Sequence, residues 1–146
     1  MNPKALSTMI AALLILGGVI FGALGGIHAM YTLLDLRDPR WLVPADPAVV
    51  KAMANSAVRL SGGGTNMWRA WIGFNFTHSL GLLLFGALAV WAGFRVGRLS
   101  AVVMPALVLV GGVYLVVAWL YFFRSPVIGV AFGTGCFAAA WLLSFR

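Results

Sequence analysis

The sequence predicts an all-α membrane protein, a four-transmembrane-helix bundle with a long, partly helical connection between the first and second helices. Of its 146 residues, 62% are hydrophobic and only 9% are charged, whereas about a quarter of the residues in a soluble domain are charged. The mean hydropathy of +1.01 indicates that lipid is the solvent for most of the chain. Four apolar segments each reach the length of a spanning helix, which is about 20 residues.

These four spans form one membrane domain, residues 1–146, with both termini on the same side. The first span would be about 45 Å long as a helix, against a hydrocarbon core of about 30 Å, so it should tilt or protrude. Its apolar run also exceeds the roughly 7 to 15 residues of a signal-peptide core, so we expect it to be retained. The predicted helices cover residues 5–34, 70–94, 101–123 and 127–145.

The net charge of +7 is explained by the membrane without nucleic acid. Lysine and arginine stand singly at the ends of the spans, where they meet lipid headgroups. Because basic residues occur on both sides, the orientation is undecided. Cys136 is the single cysteine, so a disulfide within the chain is excluded. Three spans end in the Trp, Phe, Arg order of an interfacial belt: Trp91–Arg95, Trp119–Arg124 and Trp141–Arg146.

The connection, residues 35–69, is the one sizeable extramembrane segment. Within residues 45–60, apolar side chains at helical spacing predict an amphipathic helix that lies on the membrane surface or caps the bundle. A glycine-rich break follows, in which Thr65 or Asn66 can cap the second span. The apolar face of that predicted helix consists of Val49, Val50, Met53, Ala57 and Leu60.

Glycines at four-residue spacing predict close helix packing in the first and fourth spans. Packing within the chain is favoured over homodimerisation, because four helices already supply partners for one another. The glycines concerned are Gly18, Gly22 and Gly26 in the first span, and Gly129 and Gly133 in the fourth.

Polar residues that could carry chemistry are concentrated on the first two spans. The chain has no glutamate, and its three aspartates lie at or beyond the end of the first span, so a carboxylate proton relay is not expected. Helical periodicity places each polar set on one face of its helix, and exposure to lipid would be costly, so the two faces should meet. His28 lies seven residues before Asp35 and His78 lies seven residues after Trp71, so both should lie about 10 Å inside the same border. The candidate ligand-binding residues are His28, Tyr31, Thr32, Trp71, Asn75 and His78, with Asp35 on the same face of the first span.

Three interpretations of the two histidines are open. They can hydrogen-bond across the bundle to Asn75, Tyr31 or backbone carbonyls and serve helix association alone. They can bind a lipophilic or redox ligand, as axial ligands of haem b or as headgroup donors to a quinone. A metal site without haem is not expected, because a third ligand is lacking near the pair.

Two sequence motifs also carry a resemblance. The run MWRAWIGFNFTHSLG at residues 67–81, with GIHAMYT at 26–32 and DPR at 38–40, resembles an uncharacterised family of small bacterial four-helix integral membrane proteins. The resemblance implies a bacterial membrane protein, with the cytoplasmic membrane as its expected location, and carries over no functional residue.

Two functions are therefore open for this small polytopic membrane protein, and whether it is an enzyme is undecided. One is a buried site for haem or a quinone between the first two spans. The other is a non-catalytic accessory or structural subunit of a larger membrane complex. The expected partners are membrane lipids, with a membrane protein or a second copy of the chain as further partners, and no nucleic acid.

Overall fold

The computed structural model describes residues 2–99 and 101–146. Within that part the chain forms five α-helices, which confirms the all-α prediction. Four of these described helices are long and apolar enough to span a membrane, and their bounds fall within a few residues of the predicted spans. The helices are α1 (Pro3–Asp35), α2 (Pro47–Asn55), α3 (Met67–Phe94), α4 (Val103–Tyr121) and α5 (Arg124–Leu143).

Side-chain caps explain where α2 and α3 begin. The Asp46 carboxylate accepts the backbone N–H of Ala48 at 2.8 Å, and the Asn66 amide oxygen accepts the backbone N–H of Arg69 at 2.9 Å. Each bond satisfies one of the N–H groups that a helix start leaves without a partner. Of the two residues proposed as caps for the second span, Asn66 rather than Thr65 makes this bond.

The connecting helix is shorter than the predicted 45–60, and this part of the prediction is wrong. α2 ends at Asn55, and Ala57 then pairs with Asn66 in an isolated antiparallel bridge. Backbone bonds across this bridge replace those that a longer helix would make. Leu60, expected on the apolar helical face, is instead 97% exposed in a short 3₁₀ helix, Arg59–Ser61. α2 has no buried residue, so it does not cap a core.

Two glycines allow the chain to reverse beyond the bridge. Gly62 and Gly63 have φ angles of 57° and 90°, a region that side-chain-bearing residues rarely adopt. The Ser61 hydroxyl donates to the Val58 carbonyl at 2.7 Å within the same turn. The turn therefore returns the chain to the start of α3 through hydrogen bonds made locally.

One compact unit comprises Met1–Leu24 and Leu82–Arg146. At its centre, the Phe21 ring of α1 lies 4.8 Å from Phe85 of α3, 5.8 Å from Tyr114 of α4 and 5.7 Å from Phe137 of α5, measured between ring centroids. Phe21 and Phe137 are completely buried. A single aromatic cluster thus joins all four long helices, through the van der Waals packing that holds helices together in lipid.

Glycines bring the helices of this unit into backbone contact. A Cβ atom placed on Gly86 of α3 would lie 2.5 Å from the Gly18 carbonyl oxygen of α1, so α1 and α3 are adjacent rather than diagonal. A Cβ atom on Gly133 would lie 2.9 Å from the Phe21 ring, and one on Gly129 would lie 3.2 Å from Leu24. The predicted packing within the chain is therefore observed at Gly18, Gly129 and Gly133, whereas a Cβ atom placed on Gly22 or Gly26 would meet no neighbouring atom of the described residues within 4 Å.

The second compact unit comprises Gly25–Gly81. It contains the end of α1, the connection with α2, and the first half of α3. All of the candidate ligand-binding residues lie in this unit.

Candidate functional site

The two histidines lie side by side in the Gly25–Gly81 unit. The ring centroids of His28 on α1 and His78 on α3 are 5.0 Å apart, and the rings meet edge to face at 69°. Both side chains are partly buried. The residue spacing along the two helices therefore predicted their common depth, and the polar faces of α1 and α3 meet at this pair.

Asn75 joins the two helices and selects the tautomer of neutral His28. Its amide nitrogen donates to the Trp71 carbonyl at 2.9 Å, which directs its amide oxygen towards His28 Nε2 at 2.8 Å. Since an amide oxygen can only accept, His28 must donate from Nε2. In neutral His28, Nδ1 is then the acceptor nitrogen. Asn75 is 4% exposed, so this bond is protected from water.

The buried hydroxyl groups of this unit are used within their own helices. Thr32 donates to the His28 carbonyl at 2.9 Å, and Ser79 donates to the Asn75 carbonyl at 2.8 Å. Each is 1% exposed. The hydroxyl of Thr32, a candidate ligand-binding residue, thus donates to a backbone carbonyl one turn earlier, as threonine in an apolar helix commonly does.

Two candidate aromatic residues hold the connection. Tyr31 stacks on Trp41 with ring centroids 4.9 Å apart and planes 13° apart. The Trp71 indole N–H donates to the Leu42 carbonyl at 2.7 Å. These contacts attach α1 and α3 to the segment that follows α1. Tyr31 and Trp71 therefore hold the connection in place, a role that the sequence did not indicate.

The aromatic surface beside the histidines includes a residue that the sequence analysis missed. Phe74 stacks on His78 with ring centroids 6.2 Å apart and on Trp71 with centroids 6.5 Å apart. Phe74 is 58% exposed. We call Trp71, Phe74 and His78 the aromatic ladder; their spacing of three and four residues on one helix was the signal that could have revealed it.

Asp35 has a role that local sequence patterns did not reveal. Its carboxylate accepts the backbone N–H groups of Arg40, Trp41 and Leu42 at 2.8, 2.9 and 2.7 Å. The side chain is 1% exposed. Three donors satisfy a buried charge that stands at the unfavourable, negative end of the α1 dipole. Asp35 is therefore the anchor of the connection.

The histidine pair does not fit two axial ligands of one haem. Axial imidazoles approach the iron from opposite faces of the macrocycle, whereas the His28 and His78 rings touch each other directly. Among residues 2–99 and 101–146, no group of three histidine, cysteine or acidic side chains could hold a metal ion. A ligand with carbonyl or hydroxyl groups requires neither opposed imidazoles nor three metal-binding side chains, since one or two hydrogen-bonding groups are enough to hold it.

Helix length places the pair near a membrane border. α3 has 28 residues, about 42 Å at 1.5 Å per residue, and Arg95 follows its last residue. The hydrocarbon core requires about 20 residues. Counting these back from Val90, just before the aromatic belt at Trp91–Arg95, reaches Trp71, so His78 lies about 10 Å, or two helical turns, inside the border next to the connection.

Comparison of the chain with protein-family models, with curated proteins and with solved structures found no match. The resemblance to a bacterial membrane protein family stays a prediction.

Proposed function

We propose that this integral membrane protein binds a lipophilic molecule of the quinone class, with the ring head of the ligand at His28 and His78. The observation that carries the proposal is the direct contact of these two imidazoles, whose ring centroids are 5.0 Å apart, on two membrane-spanning helices. The sequence resemblance favours the bacterial cytoplasmic membrane as its location.

The hydrogen-bonding groups of the two histidines suit the ring head of a quinone or quinol. Each neutral imidazole has one N–H donor and one acceptor nitrogen. A quinone carbonyl needs a donor, and a quinol hydroxyl needs an acceptor. His28, held with its Nε2–H on Asn75, has Nδ1 as its acceptor nitrogen. Neutral histidine is also less costly to bury in lipid than a carboxylate would be.

The aromatic ladder supports entry of the ligand from lipid. Phe74 is 58% exposed and Trp71 is 37% exposed, on the same helical surface as His78. A flat ring can stack on such side chains with centroid separations of about 4.5 to 7 Å. The position of His78 about two turns inside the border suits a molecule whose ring head enters the membrane and whose tail stays in hydrocarbon.

The test is a binding measurement on purified full-length protein in phosphatidylcholine nanodiscs. We expect a short-chain benzoquinone to bind saturably, and His78→Leu to weaken binding about tenfold, equivalent to about 1.4 kcal/mol, the scale of one hydrogen bond. Thr77→Ala is the matched control, because the Thr77 hydroxyl donates to the carbonyl of Phe74 on its own helix. Its affinity should equal that of the unaltered protein.

Two outcomes would contradict the proposal. One is the absence of saturable binding by protein whose circular dichroism shows intact helices. The other is an equal affinity of His78→Leu and Thr77→Ala. Mass spectrometry of the organic extract from freshly purified protein adds an independent check, since a bound native ligand of this class should appear in stoichiometric amount.

The accessory-subunit alternative has less support after the fold is known. Glycine faces were its main support in the sequence, and Gly18, Gly129 and Gly133 contact helices of the same chain, whereas a Cβ atom on Gly22 or Gly26 would meet no described neighbour within 4 Å. It stays a prediction, tested by whether gentle purification retains a stoichiometric membrane partner.

A further inference from the structure

The unit formed by Met1–Leu24 and Leu82–Arg146 contains basic residues but no aspartate or glutamate. The three acidic residues of the whole chain, Asp35, Asp38 and Asp46, all lie outside it. No ion pair between side chains can therefore form within the unit. Its basic residues are Lys4, Arg95, Arg98, Arg124 and Arg146.

Two of these arginines share one cleft. Arg95 and Arg98, together with Phe94 and Gly97, line a partly open space of about 500 Å³ at the end of α3. The backbone N–H of Arg98 donates to the Arg95 carbonyl at 2.7 Å, which forms a tight turn and keeps both residues at one site. Both arginine side chains are exposed.

The charge balance of the cleft favours an anion. The negative end of the α3 dipole opposes an anion with the equivalent of about half an elementary charge. Two guanidinium groups exceed this, and each presents the planar set of donors that matches a phosphate. The two arginines are thus suited to bind a phosphate group.

The surrounding side chains favour a lipid as the source of that phosphate. Phe94 lines the cleft and is 75% exposed, and Trp91, one turn earlier, is 51% exposed. Exposed aromatic residues beside a cation at a helix end are typical of the headgroup layer. We infer that the Phe94–Arg98 cleft binds the phosphate of an anionic phospholipid such as phosphatidylglycerol.

The test is native mass spectrometry of full-length protein in mild detergent, titrated with phosphatidylglycerol or with phosphatidylcholine. We expect at least about tenfold preference for phosphatidylglycerol, because the choline cation of phosphatidylcholine neutralises the same phosphate group and repels the two guanidinium groups. This preference should be lost in the double variant R95Q/R98Q. The matched control is R124Q/R146Q, which removes the same charge from the same unit. These two residues lie at opposite ends of α5, about 30 Å apart, so they cannot share one phosphate.

Equal loss of preference in the two double variants would overturn the inference, because it would indicate general attraction of basic residues to anionic lipid. Equal retention of the two lipids by the unaltered protein would do the same. Complete displacement of phosphatidylglycerol by millimolar inorganic phosphate would assign the cleft to free phosphate instead. R95K/R98K, which keeps the charge and loses the planar donors, should give an intermediate preference and covers a failure of the glutamine variant to fold.

Discussion

Replacing Asp35 by asparagine tests the anchoring of the connection. Asp35 Oδ1 accepts the N–H groups of Arg40 and Trp41, and Oδ2 accepts the N–H of Leu42. Asparagine keeps one acceptor oxygen but presents an NH₂ group in place of the other. One N–H of the loop then faces a donor, and the two remaining bonds lose the contribution of the charge.

The expected magnitude follows from these contacts. A hydrogen bond to a charged group contributes about 1.5–3 kcal/mol, and losing one acceptor oxygen together with the charge should destabilise the loop by about that much. Two contacts that do not involve Asp35 limit the loss: the stacking of Tyr31 on Trp41 and the bond from Trp71 to the Leu42 carbonyl. We therefore expect local opening of the loop to become about ten- to a hundredfold more frequent.

Amide hydrogen exchange of residues 40–42, in full-length protein in nanodiscs, measures this opening directly. Asp38→Asn is the matched control, because Asp38 forms an ion pair with Arg40 at 2.6 Å in which both side chains are more than half exposed. Such exposed pairs contribute little, so its exchange should be unchanged. If the exchange rates of these amides in Asp35→Asn stay within about threefold of those in the unaltered protein, the carboxylate does not anchor the connection.

Three further perturbations check other parts of the fold. Gly86→Ala should destabilise the helix bundle by about 1–3 kcal/mol, because its Cβ would meet the α1 backbone at 2.5 Å, whereas Gly135→Ala, with no atom within 4 Å, should have no adverse effect in the same thermal unfolding assay. Trp71→Phe should remove the indole bond to the Leu42 carbonyl and raise local exchange by roughly fivefold, equivalent to about 1 kcal/mol, while similar exchange in both proteins would dismiss that bond. Reporter fusions at the amino end and after Arg146 should report the same compartment, and opposite compartments would remove a span from the fold.

The sequence alone determined the membrane class, the four spans and the meeting of the two polar faces. Spans follow from hydropathy over about 20 residues, and the shared depth of His28 and His78 follows from their equal separation, seven residues, from Asp35 and Trp71. The cap of α3 is equally local, since the Asn66 side chain bonds to the backbone three residues later, but the sequence left Thr65 open as the alternative cap. These features depend on contacts within one helix or on exclusion from lipid, so they can be inferred without the fold.

The tertiary structure alone decided which helices are neighbours and what several polar residues do. The adjacency of α1 and α3 depends on Gly18 and Gly86, which lie far apart in sequence and touch through their backbones. α2 ends at Asn55 because later residues pair across a turn, a competition that helical periodicity does not reveal. Asp35 binds backbone N–H groups five to seven residues onward only once the chain has folded back. The contact between His28 and His78 that disfavours haem is likewise a distance between helices, which helix-packing geometry sets and residue spacing does not.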